Sequence, residues 1–344
     1  MTTARKIKWL IAHHPQYLFI RTAKYFSQEL EKLLPGQFEI EILSMTKYIE
    51  KYDDIEEMKL VSPEIPGLED NFCPQRFTRV ETWQDINRKW IAIFRAIEDG
   101  KIEMSQTQVT VIGSIMDNDF SALDMPFLFK DHNHATKVLD GEIGDEMLNN
   151  LADRSNMRGL AFTYSGGYRV IGAKTEIKSI NDLHGKFLLS ASLPSNQLFT
   201  DLGTNTINKP YSTPQDYADL AVNDGAVETT YLRFSGDYVL KTEHSMFLTS
   251  ILTGDGFWNT LTQEQQNAFR TAAKKCATHE RQMSIKDSEV YEYYAEANGI
   301  TINRISEEEL NMMKEKSKKV YSRLQDRFSS NLVSRILEAG HTDQ

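Results

Sequence analysis

Residues 158–190 read RGLAFTYSGGYRVIGAKTEIKSINDLHGKFLLS, and few architectures accommodate that stretch. Two short runs rich in β-forming residues, 160–164 and 168–172, flank Ser165-Gly166-Gly167, which reads as a turn. A second turn at 181–185 leads to a third strand at 187–190. Strands this close in sequence imply a sheet, and successive side chains along a strand alternate between its faces. Arg169 therefore points away from the face of Tyr168 and Val170. Its charge requires either water at a sheet edge or a partner in a cleft.

A chain of 344 residues exceeds a single ordinary core and suits two lobes with a cleft between them. With 39 basic and 49 acidic residues the net charge is −10, which argues against nucleic acid and other polyanions as partners. Cys73 and Cys276 are too few for a disulfide framework or a cysteine-rich metal centre. No run reaches the length of about 18 apolar residues that spans a membrane. The N-terminus leads into one short strand with no signal-peptide core, so the protein is cytoplasmic or a leader has been removed. Dinucleotide-binding, phosphate-loop, zincin and serine-hydrolase signatures are missing from the sequence. No metal and no cofactor are expected.

Residues 7–12 form a strand that ends at His13-His14-Pro15, followed by an amphipathic helix over 17–34 and a second strand over 38–43. Such a start implies parallel strands joined by a right-handed crossover. It also puts His13 and His14 at the C-terminal end of a strand, where open α/β sheets place ligands. Adjacent residues point apart, which disfavours the pair as a metal site. Residues 48–81 lack clean periodicity and read as an insertion. Helical spacing predicts a helix over 83–98, a strand over 102–107 and one helix over 134–152. Thr213 precedes a proline at a first helical position and caps another helix. Thr262 with Gln265 forms a capping box that opens a very long helix ending near Asn298-Gly299. A strand over 300–304 and a helix over 307–328 complete the chain.

Several of these segments resemble the extracytoplasmic solute-binding proteins of TRAP transporters, the DctP-like family. Gly167-Tyr168-Arg169 matches that family's Gly-x-Arg, and Lys178-Ser179-Ile180-Asn181-Asp182-Leu183-His184-Gly185-Lys186 matches its Lys-Ser-x-x-Asp-Leu-x-Gly-Lys segment. Residues 122–129 are similar to its Leu-Pro-Phe-Leu-Phe pattern. The resemblance implies an α/β, two-lobed, periplasmic-binding-protein-like fold in which each lobe is a mixed sheet flanked by helices and a long helix spans both. The expected boundaries are 1–166 and 256–295 for lobe I, with the insertion at about 48–81, and 167–255 and 296–344 for lobe II.

For function, the resemblance implies a periplasmic protein, its leader removed, that closes on a small organic solute and delivers it to a TRAP-type permease. It implies no catalysis and no membrane insertion; a monomer is expected. A two-lobed enzyme and a sensory binding component are the alternatives. Ligand contacts implied by the family pattern fall on Arg169, Gln108, Tyr211, Thr213, Glu228 and Thr230, with His244 in a structural role. Where the family carries a second arginine, this alignment puts Leu188. Either Arg169 holds the ligand with help from His13 or His14, or the ligand is less acidic and packs on Leu188, Tyr164, Tyr211 and Phe187. A third possibility is that Lys186, Lys209 or Arg233 replaces the missing cation.

Overall fold

The computed structural model describes residues 4–12, 16–60, 83–190, 192–207, 222–226 and 236–341. Strand β1 (Arg5–Ile11), helix α1 (Gln16–Leu33) and β2 (Phe38–Ser44) form the expected parallel unit, paired from Arg5 opposite Phe38 to Ile11 opposite Ser44. The short helix α2 (Met45–Lys51) is capped by the Ser44 hydroxyl. The segment expected as an insertion is anchored at its start: Tyr48, Ile55 and Met58 are buried in the same cluster as Trp90 and Phe94 of α3 (Trp83–Glu98). Residues 61–82 lie outside the described residues.

Strand β3 (Met104–Gln108) pairs with β1 and runs directly into α4 (Val109–Ile115). The turn-like helix α5 (Asp119–Ala122) follows. The single helix expected over 134–152 is two, α6 (His132–Leu139) and α7 (Glu142–Arg154). Asp140 and Gly141 separate them, and a side chain at Gly141 would meet the Lys137 carbonyl at 2.4 Å.

Strand β4 (Met157–Ala173) is one element of 17 residues where a hairpin was expected. Ser165-Gly166-Gly167 is a bulge within it, with the pairing register shifting between Tyr164 and Gly167. Gly166 and Gly167 take φ of 81° and 83°, a region that glycine enters without steric cost. The bulge marks a change of partner. Residues up to Tyr168 pair with β9 (Met246–Gly254), whereas Arg169 to Ala173 pair with β7 (Val222–Ala226), and the last three of these also pair with β8 (Tyr238–Lys241).

Two sheets thus share β4. The first runs β2-β1-β3-β9-β4. The second continues through β7 to β5 (Phe187–Leu189) and β6 (Asn205–Ile207), with β8 and β10 (Thr301–Arg304) on its other flank. Helix α8 (Leu193–Asp201) connects β5 to β6. β8 and β9 follow one another along the same edge of β4, joined through Thr242 to Ser245, so two strands pass from sheet to sheet side by side. This pairing corrects the expected boundaries: 246–254, assigned to lobe II, are hydrogen-bonded into the first sheet between β3 and β4.

After the short helix α9 (Asp255–Trp258) comes α10 (Gln263–Ala297), whose 35 residues extend about 52 Å at 1.5 Å per residue. Its Thr262–Gln265 capping box is formed as expected. Near its start, Ala268, Phe269, Ala272, Ala273, Cys276 and Ala277 pack in a cluster with Trp9, Phe26 and Leu160 of the first sheet's layers. Near its end, Ala295 clusters with Val170 and Val239 of the second sheet. One rigid helix therefore spans both lobes. On β1, Ile7, Trp9 and Ile11 join the cluster beneath α1 and α10, while Leu10 joins the cluster containing α3 and α4, as period-two alternation requires for a sheet covered on both faces. The final helical segment expected over 307–328 comprises α11 (Glu307–Leu324) and one 3-10 turn. A further helix, α12 (Leu332–Ala339), packs Leu332, Val333 and Ile336 into the core and was not anticipated.

Candidate functional site

The site is built around the point where β4 and the β8–β9 strands cross between sheets. Arg169 is the first residue of β4 to pair with β7, opposite Ala226, and its backbone N–H donates to the Ser245 carbonyl at 2.8 Å. Its side chain is only 3% exposed, and the guanidinium carbon lies 4.1 Å from the centre of the Phe247 ring. A cation over an aromatic face is stabilised by the ring quadrupole, most strongly where water is excluded. Arginine presents a planar fork of donors matched to a carboxylate. Bulge and ring together hold a charged donor at the junction of the lobes.

Tyr164, on the other side of the bulge, is fully buried. Its hydroxyl lies 3.2 Å from His132 Nδ1, and burial raises the phenol above its usual range while lowering His132. Its backbone N–H donates to Glu280 Oε2 at 2.7 Å. Glu280, on α10, also accepts from the Ser284 hydroxyl at 2.5 Å; burial, only partly opposed by these bonds, pushes its carboxyl up to about 7. The adjacent Arg281 donates to the Phe162 carbonyl at 2.6 Å and to Asp140. These bonds tie the spanning helix to β4 on the approach to the bulge.

Gln108 is half-buried at the end of β3, in the position that caps α4 and without a side-chain capping bond. Deeper in the sheet, Gln106 donates to Thr163 at 2.8 Å and to Thr249 at 3.0 Å, joining three strands through side chains. His244 is fully buried, with Nδ1 2.8 Å from the Thr242 hydroxyl and its ring edge-on to Phe199 at 4.9 Å.

Leu188, expected to face the ligand, is fully buried in a hydrophobic cluster that also contains Tyr164, Ile171, Leu198, Phe199 and Leu240. The neighbouring Phe187 is half exposed. Lys186 donates to the Thr175 hydroxyl at 3.2 Å in an exposed setting. His13, His14, Tyr211, Thr213, Glu228 and Thr230 lie outside the described residues, as do Lys209, Arg233 and Cys73.

Phe247, Ser245, His132 and Glu280 complete the surroundings of the bulge and were not singled out from sequence. Phe247 carried a usable signal, since it stands in the apolar run 246–248 just after Thr242-Glu243-His244. Glu280 carried none, because a glutamate in a long helix reads as a solvated side chain. No group of three or more His, Cys, Asp or Glu able to hold a metal occurs among the described residues, and none of their helices is long and apolar enough to cross a membrane.

Comparison with known proteins places this geometry. The DctP family model, described as bacterial extracellular solute-binding protein, family 7, matches residues 90–219 and 225–327. The C4-dicarboxylate-binding protein DctB of Bacillus subtilis is 23% identical over 255 residues, covering 71% of each chain. Among solved structures, the sugar acid binding protein DctPAm of Advenella mimigardefordensis in complex with galactonate superposes with a TM-score of 0.75 at 18% identity, over 98% of each chain. A TRAP periplasmic solute-binding protein of Pseudomonas putida with bound D-glucuronate gives a TM-score of 0.73 at 20% identity, over 96% of each chain.

Proposed function

Because the chain belongs to the DctP family of bacterial extracellular solute-binding proteins, we propose that it captures a small organic acid between its lobes, with the Arg169 guanidinium as the principal anchor of the ligand's carboxylate. The observation that carries this reading is the place of Arg169. A charged fork is held almost wholly out of water, over Phe247, at the strand crossing where closure brings the lobes together. The fold has already taken the guanidinium out of water, so a carboxylate bound there sets only its own dehydration cost against paired, charge-assisted hydrogen bonds that are strong and directional. Gln108, at the mouth of β3, supplies an amide for a ligand hydroxyl or second oxygen; His13, His14, Tyr211, Thr213, Glu228 and Thr230 are proposed as further contacts on the grounds of the family pattern. Leu188 and Tyr164 are proposed as the ligand's apolar neighbours on the same grounds, both being buried in the cluster that runs through the two lobes.

The protein works outside the cytoplasm, binds as a monomer without turnover, and passes its ligand to the membrane subunits of a TRAP-type transporter. Galactonate and D-glucuronate, bound by the two structural neighbours, together with C4-dicarboxylates, define the first panel to test. Isothermal titration of that panel should find at least one acid whose binding is lost in Arg169→Ala and weakened in Arg169→Lys, which keeps charge but not the fork. Undiminished affinity in Arg169→Ala would overturn the assignment.

A further inference from the structure

On the other face of β4 from Arg169 lies a cavity of about 970 Å³, at the upper end of the size range of small-molecule sites. Tyr168 lines it, and Tyr168 and Arg169 are consecutive on a strand, so the two sites are back to back across the sheet. Its walls come from the 126–130 segment, the end of β8, and helices α11 and α12. Phe127, Leu128, Phe129, Leu310, Tyr321 and Leu337 make the interior predominantly apolar.

Two observations set this cavity apart from a packing defect. The first is charge. Among the described residues that line it, Lys130, Lys241, Arg304, Lys314 and Lys318 stand against one carboxylate, Glu243, with Asp131 next in sequence to Lys130. Lys241 is paired with Glu243 and Glu292, Arg304 with Glu292, and Lys318 with Glu315. Lys130 and Lys314 have no carboxylate at ion-pair distance among the described residues; Lys314 instead lies 5.9 Å from the centre of the Phe127 ring. In a chain whose net charge is −10, a lining this basic is a local reversal of sign.

The second is backbone strain. Four non-glycine residues among those described have positive φ, and two of them, Phe127 at 56° and Glu243 at 47°, line this cavity. A bulky aromatic in the left-handed region is strained and persists only where surrounding contacts enforce it. Here the Phe127 N–H donates to the His244 carbonyl at 2.7 Å, which fixes the aromatic wall to the strand crossing.

We infer that this cavity is a second ligand site, for an amphiphilic monoanion whose apolar body lies against Phe127, Tyr168 and Tyr321 and whose acidic head meets Lys130 and Lys314. An acid with a polar, hydroxylated body belongs in the cleft at Arg169; one with an alkyl or aryl body belongs here. Both lysines are exposed at the rim, so their replacement leaves the core untouched.

Decanoate is the probe, with decanol as its uncharged counterpart, titrated calorimetrically into the full chain. The site predicts that decanoate binds, that Lys130→Glu with Lys314→Glu weakens it tenfold or more, that Leu310→Trp blocks it by filling the cavity, and that Arg169→Ala leaves it unchanged. Decanol should bind at least tenfold more weakly than decanoate. Equal binding in the double variant, or loss of binding in Arg169→Ala, would overturn the proposal, as would failure of decanoate to bind at all. A cleft acid bound normally by the double variant keeps the two sites distinguishable and shows that the variant is folded.

Discussion

Replacing Glu280 with glutamine removes a carboxyl that the fold buries completely on the helix spanning both lobes. The folded value of about 7 stands against an ordinary value of 4.5, and the first cause is loss of hydration, which disfavours the charged form. A carboxyl raised in the folded state binds its proton there more tightly than in the unfolded chain. Stability is therefore full below the unfolded value and falls as pH rises through 4.5 towards 7, where the loss levels off. The difference of roughly 2.5 pH units at about 1.36 kcal/mol each gives a loss of about 3 kcal/mol between pH 4 and pH 8. Glutamine keeps an oxygen to accept from the Tyr164 N–H but never ionises. With an unfolding entropy of about 2.1 cal/mol/K per residue, some 0.7 kcal/mol/K for this chain, Glu280→Gln should raise Tm relative to the parent by about 4–5 °C more at pH 8 than at pH 4. Differential scanning calorimetry of both proteins at the two pH values measures this, and all other titrating groups cancel in the comparison. Parallel pH profiles for the two proteins would refute the reasoning.

Leu188→Arg should fail to fold or lose about 3–5 kcal/mol, the cost of a buried charge without a partner, rather than redirect ligand choice; Leu188→Ala should cost about 2–5 kcal/mol, read as a lowered denaturation midpoint. Gly167→Ala meets nothing closer than the Ser288 hydroxyl at 3.6 Å, so its cost is that of the backbone alone, about 1–2 kcal/mol, seen as a drop in Tm with the core intact. Cys276, whose thiol is buried, raised above its usual range by desolvation and donating to the Thr22 carbonyl at 3.2 Å, should resist a thiol reagent in native Cys73→Ser protein and react only once denatured.

Much of the fold was legible because its signals are local. The capping box at Thr262, the period of residues 83–98 and the parallel start through β1 and β2 depend on neighbours in sequence, and the structure repeats them closely. What could not be read depended on pairing partners. Ser165-Gly166-Gly167 has turn chemistry, yet the flanking runs extend one strand, because β9 and then β7 and β8 supply the hydrogen bonds a hairpin would have made with itself. β9 was placed in the wrong lobe for the same reason. At the site, alternation along the strand left Arg169 open between a wet sheet edge and a cleft, and the family resemblance alone pointed to the cleft; which face Leu188 presents turns on a strand of three residues, too short for periodicity to answer. Glu280 was hidden altogether, since a helical surface pattern does not disclose that β4 lies over one turn of the helix.

The central claim is that a buried guanidinium at the strand crossing receives the ligand's acid group. Its most direct test is a crystal structure of the protein with an acid from the binding panel. The account requires the ligand carboxylate within about 3 Å of the Arg169 guanidinium nitrogens, in paired, roughly parallel hydrogen bonds. A ligand bound between the lobes with its carboxylate on other donors, and Arg169 still stacked on Phe247 without touching it, would contradict the account.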